Sequence, residues 1–410
     1  HVHAAMRPGV PLAAAAAWWL ADRARRDGNL VTPALALVAV VAWQGTVSFY
    51  PATYAVVAAG VVLLVRLGSL PRRGIIAGAV SLLTAAGSLA LLAIPNIAVA
   101  GRDPHYRFSL AAFGAGGANF THTEPGLVVW GHVLGLTSSD NLRNAVFPGV
   151  ILLVVALLGT IDGLRSTGKT RTVAVAGVVL TVVGALIALG TSATGWRRYA
   201  PYRLLYELGP PFSALRDAAR GWMIGLCGLA LLAGLGAMAV AGWLQPRVHL
   251  RPLVVRGAVA ALLVALVLLE GYDPWFNRPT VRIAPVDVEL ARRPDTSGVV
   301  YLPMNSNPQL DISIFKQPRN LYGDTAHHRP TPNGYSGYIP PSYVAQSRTL
   351  WTLPSPDALA LLQRLGVRYV VVHPSVAGTP WASLRSRRSA EPLRYIGRFG
   401  RDLLYELPPG

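Results

Sequence analysis

The segment Thr191 to Gly221 concentrates the residues best suited to chemistry. It carries Arg197, Arg198, Arg203, Arg216 and Arg220 against two acids, Glu207 and Asp217. Arg216 and Arg220 stand four residues apart, a spacing that puts both on one face at the start of an apolar helix. Pro210, Pro211 and Ser213 supply helix-start residues before them. A helix N-terminus attracts anions through its free N–H groups, and guanidinium groups add bidentate contacts to phosphate oxygens. The pattern predicts a site for a lipid phosphate or pyrophosphate built from Arg197, Arg198, Arg216 and Arg220. The plainer reading of the same cations is snorkelling to lipid headgroups and pairing with the two acids.

A second group lies in the 96–145 stretch: Asp103, His105, His122, Glu124 and His132. Carboxylate and imidazole groups can act as a general base or hold a divalent cation. Asp103, His105 and Glu124 are the candidate catalytic residues. No metal-ligand spacing occurs among them, so no metal site is assigned and a divalent cation is left open. His327–His328 is a poor chelate, since neighbours on a strand point to opposite faces. Glu270 reads as a satisfied acid at the end of an apolar run, with a proton relay as the alternative. No Gly-rich phosphate loop ending in Lys-Ser/Thr is present, and no G-x-S-x-G element, which leaves an ATP-driven pump and a serine hydrolase unsupported. The single Cys227 excludes an internal disulfide.

The elements that must position these residues are apolar. The chain has 410 residues, a mean hydropathy of +0.41, and only 14% charged residues, against about 25% in soluble proteins. Its net charge is +18, yet a nucleic-acid-binding protein would not be this apolar. A helix needs roughly 20 apolar residues to cross a bilayer. Eight runs are candidates, near 8–22, 30–49, 51–68, 74–95, 146–164, 172–190, 218–241 and 253–270. The first is short and Ala-rich and reads as partial or interfacial. Three basic residues follow each odd-numbered run: Arg23, Arg25 and Arg26; Arg66, Arg72 and Arg73; Arg165, Lys169 and Arg171; Arg247, Arg251 and Arg256. If all eight runs cross, these loops share one side, which the positive-inside rule makes cytoplasmic. The 96–145 and 191–217 loops and everything after residue 270 then face outward.

The chain divides on this reading into a transmembrane domain, 1–270, and an extracytoplasmic α/β domain, 271–410. In the second, Val299 to Pro303 and Val367 to His373 are β-branched and aromatic runs typical of buried strands. Asp357 to Leu365 has helical spacing and ends at Gly366. Tyr395 to Phe399 and Leu403 to Leu407 predict a hairpin around Gly400–Arg401–Asp402. Asn305 to Pro341 is rich in Pro, Asn, Gly and Tyr and reads as an ordered loop. Its Tyr335 and Tyr338, with Tyr343 just beyond, read as packing against the membrane domain, or as a platform for a sugar.

Several stretches together resemble one family: Phe147–Pro148–Gly149 opening a span, YRLLYELGPPFSALRDAAR (202–220), GVVYLPM (298–304), HHRPTPNGYSGYIPPSY (327–343) and LLQRLGVRYVVVH (361–373). They resemble bacterial GT-C-type integral-membrane glycosyltransferases of the polyprenyl-phosphate-sugar-dependent, mannosyltransferase-like group. The resemblance implies a multi-span enzyme of the bacterial cytoplasmic membrane. Its active site would lie on the outer face and pass a sugar from a polyprenyl-phosphate donor to a cell-envelope acceptor. It assigns Arg216 and Arg220 to the donor phosphate. It places the usual catalytic acid in a first external loop, which is expected upstream of His1 in a longer protein. Some members use a metal ion and others do not. The alternative is a non-catalytic transporter, flippase or scaffold for lipid-linked envelope sugars, using the same arginines for headgroups. The partners implied are membrane lipid, the lipid-linked sugar and the acceptor, with no nucleic acid.

Overall fold

A computed structural model describes residues 8–102, 120, 127–134, 146–191, 195–208, 218–272, 282–304, 317–334, 340–377, 379–386 and 390–407, with the side chains at 96, 97, 99–102, 131 and 132 excepted. The chain divides into two compact units, His1–Asn277 and Arg278–Gly410. The sequence places the division after residue 270.

In the first unit the eight apolar runs are eight helices: α1 Gly9–Arg25, α2 Val31–Val47, α3 Phe49–Arg66, α4 Arg72–Arg102, α5 Val150–Arg165 and α6 Gly168–Ala188, then, after the short α7 Tyr202–Glu207, α8 Trp222–Leu244 and α9 Pro252–Glu270. Five of the apolar stretches, Phe49–Ser69, Arg72–Pro95, Gly168–Ala188, Ala218–Arg247 and Pro252–Glu270, are long and apolar enough to cross a membrane. By length and composition these are candidate membrane-spanning helices among the described residues. On α9 the large apolar side chains point outward, with Leu253 82% and Leu268 67% exposed, as lipid contact requires. The fourth run continues through Pro95 to Arg102. Such a proline is tolerated where neighbouring helices and side chains re-satisfy the freed carbonyl.

α1, read from the sequence as short and partial or interfacial, is not among those five stretches. Ala13, Ala17, Leu20 and Ala21 are fully buried in the cluster that joins α1 to α2 and α3. Its alanines allow close packing. Glycine does the same for α5 and α8. A Cβ on Gly159 would lie 1.9 Å from the Leu232 carbonyl oxygen, and one on Gly236 would lie 2.0 Å from that of Val155. The two backbones touch, which only small residues permit.

Three of the four basic loops meet at one end of this unit. Arg73 donates to the Ala24 carbonyl at 3.1 Å and pairs with Asp27. Asp22 pairs with Arg66 at 2.8 Å and with Lys169 at 3.5 Å. Arg66 is buried there, stacked 4.3 Å over the Trp18 ring.

The second unit is a four-stranded sheet flanked by helices. Its elements are α10 Pro285–Arg292, β1 Gly298–Leu302, α11 Gln317–His327, α12 Pro341–Leu350, α13 Pro356–Arg364, β2 Val367–Val372, β3 Arg394–Phe399 and β4 Asp402–Glu406. The strand order is β1-β2-β4-β3, with β1 and β2 parallel and β4 antiparallel to both neighbours. Both strands and the hairpin stand where the β-branched runs and Gly400 (φ +62°) place them. Alternate residues go to opposite faces. Val300, Leu302, Val370 and Val372 pack under α13 with Ala358 and Leu362, while Val299, Tyr301, Tyr369 and Val371 pack under α10 with Val286 and Leu290. α13 starts at Ser355, whose hydroxyl accepts the Ala358 N–H, and stops before Gly366 (φ +67°), as αL glycine caps do. The open edge of β1 is covered by a side chain. Asn333 accepts the Tyr301 N–H at 2.7 Å and donates to the Tyr301 carbonyl at 2.8 Å, much as a paired strand would.

The stretch read as a loop from Asn305 to Pro341 contains α11. Tyr343, read as facing the membrane domain or a sugar, packs against the core of this second unit. Tyr335 and Tyr338 lie outside the described residues.

Candidate functional site

The described arginines of the 191–221 segment sit on two short turns and on α7, at the end of the bundle opposite Asp22 and Arg66. Gly195 (φ +69°) leads into a 3₁₀ turn, Trp196–Tyr199, that carries Arg197 and Arg198. Arg198 is exposed and lies 4.6 Å over the Tyr199 ring. Arg197 is half-buried, and its carbonyl accepts the Thr191 hydroxyl at 3.2 Å. Arg203 pairs with Glu207 at 2.7 Å along α7, so that cation is neutralised locally. α7 is held down by Tyr202, Leu205 and Tyr206, which join the same apolar cluster as Ala218 and Met223. A second 3₁₀ turn, Ala218–Gly221, carries Arg220, half-buried and 5.1 Å over the Tyr50 ring. Arg216 and its expected partnership with Arg220 lie outside the described residues.

One turn beyond Arg220 an apolar groove begins. It has a volume of about 710 Å³ and is lined by α1, α3, α6 and α8, among them by Val10, Trp18, Val62, Val173, Met223 and Cys227. Pro11, Ala15, Leu226, Ala230 and Leu231 also line it and are exposed, so the groove opens sideways from the bundle. Val10 and Met223 lie toward the Arg220 end. Trp18, Val62 and Val173 close the other end, each one helical turn from a charged residue: Asp22, Arg66 and Lys169. Near the Arg220 end Gln44, fully buried, accepts the Gly9 N–H at 3.0 Å and ties the start of α1 to α2. The arrangement offers an apolar trough with Arg220 one turn from one end. Sequence reading missed it, because a trough between helices is made of absent volume: its walls include Ala14, Ala15, Ala176 and Ala230, which in the sequence are indistinguishable from packing alanines.

The described acids near this end are engaged. Glu270 is buried and accepts from three donors: the Val150 N–H at 2.6 Å, the Ile151 N–H at 3.0 Å and the Trp130 indole at 2.8 Å. It caps the N-terminus of α5 from another helix, which supports the satisfied-acid reading over a relay. Asp103, His105, His122 and Glu124 lie outside the described residues, and of His132 only the backbone is described. Among the described residues no three His, Cys, Asp or Glu side chains are placed to hold a metal ion.

The second unit holds a polar cluster that the sequence did not signal. Tyr301 donates to Asp287 at 2.8 Å and lies 2.7 Å from His327 Nε2. His327 Nδ1 accepts the Arg329 N–H at 3.1 Å, so Nε2 carries the proton and donates to the tyrosine. The same Nε2 is 3.4 Å from Asp324. The Tyr301 ring is near-parallel to the rings of His327 and His373, at centroid distances of 6.4 and 5.9 Å. His373 in turn contacts Asp402 at 2.7 Å and Asn320 at 3.1 Å. Burial pushes Asp324 up to about 6, helped by the charge of Asp287, and pushes Asp287 itself up. Burial, with Arg329 and His328 nearby, holds His327 down to about 4. His327 ends a helix rather than standing on a strand, and its side chain is buried. The strand argument against a His327–His328 chelate therefore does not apply, although the pair is split between inside and outside.

Buried Arg329 is a structural cation. It donates to the Leu290, Arg293 and Ser297 carbonyls and pairs with Asp295 at 2.9 Å. The Tyr369 hydroxyl and Arg329 together hold the Asp295 carboxyl well below the usual range.

The chain matches no protein-family model and no curated protein.

Proposed function

We propose that this chain belongs to an integral-membrane glycosyltransferase that uses a polyprenyl-phosphate-linked sugar and works on the outer face of the bacterial cytoplasmic membrane. The observation that carries this reading is the position of the apolar groove, which opens sideways and starts one turn from Arg220. Hydrocarbon lies in the trough, and the phosphate sits at the mouth among Arg197, Arg198 and Arg220, with Arg216 expected to join them. The eight helices are read as eight crossings. The end carrying Asp22, Arg66, Arg73 and Lys169 is then cytoplasmic, and the second unit extracytoplasmic.

In the reaction an acceptor oxygen forms the new bond to the anomeric carbon. The bond from that carbon to the phosphate oxygen breaks, and its electron pair leaves with the lipid phosphate. Preorganised guanidinium groups stabilise that developing charge. The acceptor proton passes to a base. Glu207 and Glu270 are engaged elsewhere, so within the chain the candidates are Asp103, His105 and Glu124. The cell-envelope acceptor is expected on the same face.

The residue-level test is a titration of the protein in nanodiscs with a polyprenyl monophosphate. Arg220→Ala combined with Arg197→Ala is expected to weaken binding by at least about tenfold, consistent with the loss of charge-assisted contacts. Unchanged affinity would remove the phosphate site. For sidedness, a reporter fused after Gly410 that functions only outside the cytoplasm is expected to be active. Activity of a cytoplasm-only reporter would invert the topology.

A further inference from the structure

The helices of the second unit are not held alike. α10 is anchored by Val286 and Leu290, α12 by Leu350, and α13 by Ala358 and Leu362, all buried in apolar clusters. α11 contributes no residue to either cluster. Its buried residues are Gln317, Asn320 and Gly323, and the buried side chain of His327 completes the stripe. These positions recur at helical spacing, so the inward face of α11 is polar from end to end. Each anchor is a hydrogen bond. Gln317 donates to the Pro303 carbonyl at 3.2 Å and accepts from Asn333 at 3.1 Å. Asn320 meets His373, and His327 meets Tyr301. Gly323 is required at its position, because a Cβ there would lie 2.3 Å from Asp287 Oδ2. A mid-helix glycine also weakens the helix itself.

Hydrogen bonds exchanged for water give little net stability, whereas burial of apolar area does not have this replacement. Segments with few apolar contacts are the ones that open locally while the rest stays folded. We infer that α11 is a lid: it lifts from the second unit while the sheet remains intact, uncovering the polar groups at the carboxyl ends of β1 and β2. Those groups are Tyr301 on β1, Asp287 on α10, His373 just after β2 and Asp402 at the start of β4. The carboxyl ends of parallel strands are where α/β sheets leave room for ligands, and here α11 occupies that place.

The test is hydrogen–deuterium exchange of the full chain in nanodiscs, together with carbethoxylation of His327, whose side chain is fully buried when α11 is docked. The amides of 317–327 are expected to exchange at least roughly tenfold faster than those of Val370–Val372, as separate opening units do. His327 is expected to react under conditions in which the β2 amides stay protected. Gln317→Ala with Asn320→Ala should speed both α11 readouts and leave β2 unchanged. Equal protection of α11 and β2, or His327 reacting only when β2 exchanges, would overturn the inference. If the double variant fails to protect β2, the wild-type comparison decides alone.

Discussion

Glu270 Oε1 accepts the backbone N–H of Val150 at 2.6 Å, across a sequence separation of 120 residues. With Oε2 on Ile151 and the Trp130 indole on Oε1, the last residue of α9 supplies the N-cap that α5 lacks in its own sequence. The position before Val150 is Gly149, at φ +94°. A Cβ there would lie 2.6 Å from the Glu270 carboxylate, so the glycine is what admits the acid.

Glu270→Ala is therefore expected to leave two partly buried N–H groups without their acceptor. A loss of about 1–3 kcal/mol is expected, read as a lowered midpoint in thermal denaturation of the protein in nanodiscs. Glu270→Gln keeps an acceptor oxygen and should lose less. An Ala variant as stable as wild type would show that the cap does not matter.

Gly159→Val tests the α5–α8 contact. The added Cβ meets the Leu232 carbonyl backbone, not a movable side-chain tip. Overpacking of this kind costs about 1–3 kcal/mol or more, and the variant should unfold earlier or fail to accumulate. Gly234→Ala on α8, where a Cβ meets nothing within 4 Å, is the matched control and should be neutral.

The Asp324–His327 pair makes a pH prediction with opposed signs. Asp324 is raised to about 6 from its ordinary 3.8. Its contribution is full below 3.8 and is lost as pH rises through about 6. His327 is lowered to about 4 from 6.5. Its contribution is full above 6.5 and is lost as pH falls toward about 4. In the wild type the two oppose one another between about pH 4 and 6, with Asp287 acting in the same sense as Asp324. Asp324→Asn removes one side of the balance. The variant is expected to lose more stability than wild type between pH 7 and 4.5, measured as urea midpoints of the second unit's β signal. Parallel pH profiles for the two proteins would contradict the assignment.

Much of the architecture was legible because it rests on hydrophobic pattern. The eight apolar runs became eight helices, and VVYLP and VRYVVVH became neighbouring parallel strands because β-branched residues buried on both faces have no other place in so small a sheet. α11 was not legible for the complementary reason. Its inward face is Gln317, Asn320, Gly323 and His327, so periodicity of apolar residues carries no signal there. The packing of α1 was not legible, because alanine is equally at home in a tight core and at an interface, and only its neighbours decide. Of the candidate site, Arg197, Arg198 and Arg220 stood out by their excess over acids. Their relation to the groove depended on Tyr50, Trp18, Val62 and Met223, which come from three different helices and share no sequence spacing. Asp103, His105, Glu124 and Arg216 lie outside the described residues, so for them the sequence expectation stands alone.

The most direct measurement of the central claim uses the one cysteine of the chain. Cys227 lines the groove, so a lipophilic maleimide reports whether the trough is occupied. Polyprenyl monophosphate added to the protein in nanodiscs is expected to slow Cys227 labelling several-fold, roughly the effect of a bound ligand at concentrations a few times its Kd. The neutral polyprenol should slow it less, and the Arg197→Ala, Arg220→Ala protein should show no difference between the two lipids. Labelling at the same rate with and without polyprenyl phosphate would contradict the account.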